Sequence, residues 1–150
     1  AIDTIKQQII WLWPNIDAGT DVISKILRRF REKGRFKNVT FFKNFEVDDY
    51  VVLLKNTICA VGNSSSFIRE GSYLKLPVVI VGNRQNKREI GNNVIFSELN
   101  KQEIINKINY QIKNKNKIKK SKIYGDGNSA SKISSLLSTL KPSLQKTLNY

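Results

Sequence analysis

The chain has 150 residues, enough for one domain with a proper core. It contains no histidine and a single cysteine, so neither a zinc site nor a Ser-His-Asp triad can be assembled within it, and no internal disulfide can form. The formal net charge of +14 invites a nucleic-acid reading, but 11 of the basic residues are lysines of residues 101–150, a stretch without arginine.

In chain order, residues 2–8 read as the end of a helix. Residues 9–13, Ile-Ile-Trp-Leu-Trp, form a continuous apolar run typical of a strand buried on both faces. That run is too short to cross a bilayer and lacks the basic flank of a signal peptide, so neither a membrane nor an export partner is expected. A loop over residues 14–19 leads to an amphipathic helix capped by Thr20 or Asp21. Its apolar face carries Val22, Ile23, Ile26, Leu27 and Phe30, and it ends at Gly34. Residues 39–42 read as a second strand. Residues 47–55 read as a second helix, with Tyr50, Val51 and Leu54 inward. The third strand is expected over residues 57–61. Its Cys59 reads as a buried structural thiol in a protein of the reducing cytoplasm.

A helix is expected to open after Gly62 and run through Lys75. Residues 77–82 form the fourth strand, and a polar loop through Asn93 leads to a short strand near residues 94–96. Asn100 caps a helix through Ile112. The run over residues 113–122 has no aromatic side chains for base stacking and no arginine for bidentate base contacts, so it reads as a solvated, lysine-rich segment without a specific nucleic-acid partner. A last helix is expected over residues 129–140. The domain reading is therefore 1–140 as one unit and 141–150 as a tail. The chain starts at Ala1 and has no methionine, which points to a piece of a longer polypeptide.

Alternating short strands and helices predict an α/β fold, Rossmann-like, with a parallel sheet and helices on both faces. Ligands in such sheets bind beyond the carboxyl ends of the strands. Four polar loops should open there: residues 14–19, 43–46, 62–66 and 82–91. No GxGxxG and no Walker A sequence is present, so a dinucleotide site and a P-loop are disfavoured. The run Gly62-Asn63-Ser64-Ser65-Ser66-Phe67-Ile68-Arg69-Glu70 is the strongest signal. A strand, a glycine turn, hydroxyl residues and a helix start make an anion site, because the first helical N–H groups lack internal partners and carry partial positive charge. Glu70, one turn in, suits a ribose diol. An ordinary serine N-cap accounts for the same residues.

Together these loops resemble the carboxyl-terminal half of the hydrolysing UDP-N-acetylglucosamine 2-epimerases. The matching pieces are Trp13-Pro14-Asn15-Ile16-Asp17-Ala18-Gly19, the run from 62 to 70, and Pro77-Val78-Val79-Ile80-Val81-Gly82-Asn83-Arg84-Gln85 with Lys87-Arg88-Glu89 and Gly91-Asn92-Asn93-Val94. A fourth is Ser121-Lys122-Ile123-Tyr124-Gly125-Asp126-Gly127-Asn128. The resemblance implies the second half of a two-domain glycosyltransferase-B architecture. In it Ser64 and Ser65 would hold the diphosphate, and Glu70 would accept from both ribose hydroxyls. Asn15 and Asn44 would touch the nucleotide, Phe45 would pack on the base, and Arg84 would stabilise leaving-group charge. Arg88 and Glu89 read as a surface ion pair. The family usually has glycine where Phe67 and Lys87 stand here, so the ring at 67 must point away from the site or narrow it.

The implied reaction removes the proton at sugar carbon 2, expels UDP, and adds water to give N-acetylmannosamine. No metal and no cofactor is implied. The acid/base residues would lie upstream, in a first domain, so no catalytic residue falls within this chain. The resemblance also implies a homo-oligomeric full-length protein. Two other readings stay open, a UDP-sugar glycosyltransferase half and a non-catalytic sugar-nucleotide-binding module.

Overall fold

The computed structural model describes residues 1–13 and 20–141. Five short strands alternate with helices: β1 (Ile9–Leu12), α1 (Thr20–Glu32), β2 (Val39–Phe42), α2 (Val47–Asn56), β3 (Ala60–Gly62), α3 (Ser65–Leu74), β4 (Val78–Val81), β5 (Val94–Ser97), α4 (Lys101–Asn114) and α5 (Ser129–Thr139). All strand pairing is parallel, as expected of strands joined through helical crossovers. The fold is α/β and Rossmann-like. The expected single sheet is divided, however, into β1-β2 and β3-β4-β5.

The core lies on the three-stranded sheet. β4 is hydrogen-bonded on both sides, with Val78 opposite Ala60 and opposite Val94. Its Val78, Val79 and Ile80 are fully buried, as is Ile68 of α3. Full burial of such a side chain stabilises the fold by roughly 1.5–3 kcal/mol each. Leu54, Ala60, Leu76 and Val94 complete the cluster, and Tyr50, Phe67, Leu74 and Phe96 pack against it. Two buried amides lock its lower end. Gln111 Nε2 donates to the carbonyls of Val78 (2.8 Å) and Asn93 (2.7 Å), which clamps α4 to the amino ends of β4 and β5. Asn93 Nδ2 donates to the carbonyl of Leu76 at 3.0 Å. Gly91 cannot carry a side chain here, because a Cβ would stand 2.8 Å from Asn93 Oδ1.

Several expectations from the sequence need correction. Residues 2–8 do not end a helix; only a 3-10 turn, Ile2–Thr4, forms there. Helix α1 begins at Thr20, which places both Thr20 and Asp21 inside its first turn rather than at the cap. The third strand begins at Ala60, not Thr57, because Thr57 closes α2: its N–H donates to Leu54 O and its hydroxyl to Leu53 O. β1 is not buried on both faces, since Ile10 stays 39% exposed, and among the described residues it pairs with β2 alone. The apolar face of α1 is likewise uncovered at Val22, Ile23 and Ile26, with only Leu27 buried. Between β1, α1 and β2 the packing is aromatic, through Trp11, Phe30, Phe36 and Phe41.

Cys59 is partly buried, and desolvation pushes its thiol up to about 12. After α4 the chain crosses the three-stranded half. Ser121 N donates to Ser72 O, Lys120 stands 3.5 Å over the Tyr73 ring, and Tyr124 Oη donates to Glu89 O at 2.6 Å. At the start of α5, Lys132 Nζ and the Asn128 N–H hold the Asp126 carboxyl down at about 2. The start of that helix matches the expectation, and its end falls one residue short. The tail beyond residue 141 lies outside the described residues, as does the loop at residues 14–19. Among the described residues no helix is long and apolar enough to cross a membrane.

Candidate functional site

The site is built where β3 and β4 end. Because the strands are parallel, the turn after Gly62 and the loop after Val81 leave the sheet on the same rim. Gly62 adopts φ +148°, a conformation open to glycine and poorly accessible to other residues. The chain then passes through Asn63 to Ser64, the N-cap of α3, in an extended conformation. Ser64 Oγ accepts from the Ser66 N–H at 3.3 Å. That use as a cap leaves the hydroxyl hydrogen available to donate outward. Ser64 is exposed and Ser65 half-buried as the first residue of a ten-residue helix. Their amides are the unpaired donors that such a helix start offers to an anion.

Glu70 is exposed on the same helix, about 9 Å further along its axis. The expected alternatives, a pair with Arg69 or Lys75, do not form, and no hydrogen bond or ion pair engages Glu70 among the described residues. An ionised carboxylate there is an acceptor without a donor. Phe67 resolves its own question. Its ring packs against the core, with a Gly62 Cβ position 3.4 Å from its Cε2, so it supports the turn from beneath.

The loop after β4 carries Arg84, which is exposed and engaged in an interaction of its own. Two turns shape this loop: Asn86 N donates to Asn83 O and Arg88 N to Gln85 O. Lys87 occupies the third position of the second turn at φ +69°, a backbone state that glycine adopts without cost. No ion pair joins Arg88 to Glu89 among the described residues, contrary to the surface pair expected from the sequence. Gln85 escaped the sequence reading. It is 4% exposed, and its Nε2 donates to the carbonyl of Asn63 at 2.7 Å, which joins this loop to the serine turn. Only its place inside a loop that carried other candidates hinted at it.

Asn44 and Phe45 follow β2, on the other sheet. Asn44 is exposed, and Phe45 pairs with Phe42 at a ring separation of 4.8 Å. The two rings form an apolar platform at the carboxyl end of β2, and no hydrogen bond or ring contact joins them to the serine turn among the described residues. Asn15 lies outside the described residues. Thus Ser64, Ser65, Glu70 and the loop of Arg84 come together, whereas Asn44 and Phe45 stand on the neighbouring sheet. A depression of about 400 Å³ between Arg31, Arg35, Phe36 and Phe41 lies beside β2 and is lined by none of the candidate residues. Among the described residues no three His, Cys, Asp or Glu side chains stand together to hold a metal ion.

An α/β fold of parallel strands flanked by helices is consistent with a Rossmann-like nucleotide-sugar-binding class of domain. Comparison with known proteins narrows this. The family model described as UDP-N-acetylglucosamine 2-epimerase matches residues 1–138, and the chain belongs to that family. It is 35% identical, over 89% of its length, to a UDP-N,N'-diacetylbacillosamine 2-epimerase (hydrolyzing) of Legionella pneumophila, covering 34% of that protein. It is 33% identical over 65% of its length to a UDP-N-acetylglucosamine 2-epimerase of Neisseria meningitidis, covering 25% of it. A GDP/UDP-N,N'-diacetylbacillosamine 2-epimerase (hydrolyzing) of Campylobacter jejuni is 34% identical over 66% of the chain, 26% of that relative. The chain therefore spans about a third or less of the length of the curated relatives it matches.

Proposed function

We propose that this chain is the UDP-binding half of a hydrolysing UDP-N-acetylglucosamine 2-epimerase of the cytoplasm, whose first domain supplies the acid/base groups. The observation that carries the reading is the β3–α3 turn: an exposed N-cap serine, free helix-start donors, and Glu70 without a partner on the same helix. Donors at the turn suit the diphosphate, and the carboxylate suits the two ribose hydroxyls. The Phe42–Phe45 platform suits the face of the base.

In the reaction, a base of the first domain takes the proton from sugar carbon 2, the bond from carbon 1 to the UDP oxygen breaks, and water adds to the unsaturated sugar. The share of this chain is leaving-group stabilisation. Negative charge grows on the departing diphosphate, where the α3 amides, the Ser64 and Ser65 hydroxyls and Arg84 would donate hydrogen bonds. The proton transfers are assigned to the other domain, and this chain has no histidine to share them. The isolated chain binds UDP without turning over a UDP-sugar, and the intact protein is a homo-oligomer.

The test is UDP titration of the intact protein, with Glu70→Ala and Ser64→Ala beside the wild type. Each variant should bind at least tenfold more weakly, in line with the loss of a charge-assisted hydrogen bond. Unchanged binding in both overturns the assignment. The Legionella relative, matched over most of the chain, favours a second substrate reading: a UDP-linked 2,4-diacetamido sugar. The identity of the free sugar released by the intact enzyme separates the two.

A further inference from the structure

We infer that Gln85 is a positioning residue of the proposed UDP site: its buried amide fixes the Asn63–Ser64 peptide so that the helix-start N–H groups face the diphosphate. The inference rests on the UDP reading above. Gly62 is held by β4 and by the Phe67 ring beneath it, but among the described residues no other side chain hydrogen-bonds the Asn63 carbonyl. Gly62 at φ +148° has few steric limits on its backbone, Asn63 is exposed, and the cap bond of Ser64 is made inward to α3.

Gln85 Nε2 donates to Asn63 O at 2.7 Å. The peptide unit that carries this carbonyl also carries the Ser64 N–H. A trans peptide is planar, and its C=O and N–H point in opposite directions. A carbonyl pinned on the protein side therefore turns the Ser64 N–H outward, to the rim. Only the NH2 end of the amide can face a carbonyl, which fixes the orientation of Gln85. Its Oε1 is then buried with no partner among the described residues. An unsatisfied buried acceptor is a standing cost. A leucine would fill the same 4%-exposed position without it. What the amide contributes that leucine cannot is the bond to Asn63. Gln85 also closes the turn that follows Arg84, through its carbonyl to Arg88 N, so one residue sets both loops of the site.

The experiment is an NMR titration of the 150-residue chain with UDP and, separately, with uridine, followed at the Ser64–Ser66 amides. Gln85→Leu should weaken UDP binding about tenfold, with uridine affinity and thermal midpoint unchanged, since uridine lacks the phosphates the turn would hold. Gln85→Glu gives a second reading. At pH 8 its carboxylate opposes the Asn63 carbonyl and UDP binding falls. As the pH drops toward 5 the buried carboxyl takes up a proton, donates again, and recovers affinity relative to wild type. Wild-type UDP affinity at pH 8 in either folded variant overturns the inference, as does parallel loss of UDP binding, uridine binding and stability. Failure of both variants to fold overturns it too, because Gln85 is then a core residue. If the wild type itself leaves UDP unbound, the underlying site reading fails, a result distinct from all of these.

Discussion

Strands β1 and β4 are almost equally apolar, Ile-Ile-Trp-Leu against Val-Val-Ile-Val, yet they end in different environments. Val78, Val79 and Ile80 of β4 have no exposure, whereas Ile10 of β1 keeps 39% and Phe42 of its partner β2 keeps 37%. The difference is neighbours. β4 has a strand on each side and α3 and α4 against it, while among the described residues β1 pairs with β2 alone and packs on the aromatic cluster of Phe30, Phe36 and Phe41. A strand is buried on both faces only where helices cover both. In the proposed site this division has a chemical counterpart. The diphosphate turn stands on the packed half, and the base platform of Phe42 and Phe45 stands on the open one.

The contrast is broken most severely by core truncation. Ile68→Ala removes a fully buried side chain from α3 and should cost about 2–5 kcal/mol. Ile26→Ala, 46% exposed on α1, should cost less than about 1 kcal/mol. Urea denaturation of both variants measures the gap, and equal costs would show that the two halves are packed alike.

Thiol chemistry sharpens it next. Burial raises the Cys59 thiol to about 12, so at pH 8 its thiolate fraction is about a thousandfold below that of an ordinary cysteine. Disulfide reagents should therefore label Cys59 slowly in the native chain and rapidly in urea, and an Ile10→Cys thiol on the open half should react quickly without urea. The sign on stability follows. The native thiol stays neutral where the unfolded one ionises, so its contribution to stability is constant below about pH 9 and declines as the pH rises from there toward 12.

The sequence carried the packed half well and the open half poorly. Residues 77–82 and 94–96 read as strands because β-branched runs bounded by turn residues have few other uses, and the observed strands lie within one residue of those bounds. The Asn100 cap was legible for a similar reason, and it accepts from the N–H groups of both Gln102 and Glu103. The start of β3 was misplaced because Thr57 and Ile58 are as strand-like as Val61, and only the hydrogen bonds of Thr57 to α2 decide the matter. The divided sheet could not be read, since periodicity reports which face is apolar and not what covers it. At the site, Ser64, Ser65 and Glu70 followed from local spacing along one helix. Gln85 did not, because its partner Asn63 is 22 residues away and a loop glutamine gives no signal of burial.

The smallest effects separate the halves through backbone strain. Lys87 on the packed half and Phe36 on the open half both sit in the left-handed region, at φ +69° and +62°. A non-glycine residue there costs roughly 1–2 kcal/mol, while glycine costs about 0.5–1 kcal/mol in unfolded-state entropy. The side chain of Lys87 is exposed and contributes no packing. Lys87→Gly should therefore stabilise the chain by about 0.5–1 kcal/mol, seen as a small rise in thermal midpoint. Phe36→Gly relieves the same strain but removes a ring within 5.5 Å of Phe30, 6.0 Å of Trp11 and 6.3 Å of Phe41. Loss of roughly 1.5–3 kcal/mol of ring burial outweighs the relief, so Phe36→Gly should destabilise. Opposite signs at two positions of equal φ are the result expected. A gain at both would show that the aromatic cluster of the open half holds little, and that the strands it covers are tied down by β-pairing alone.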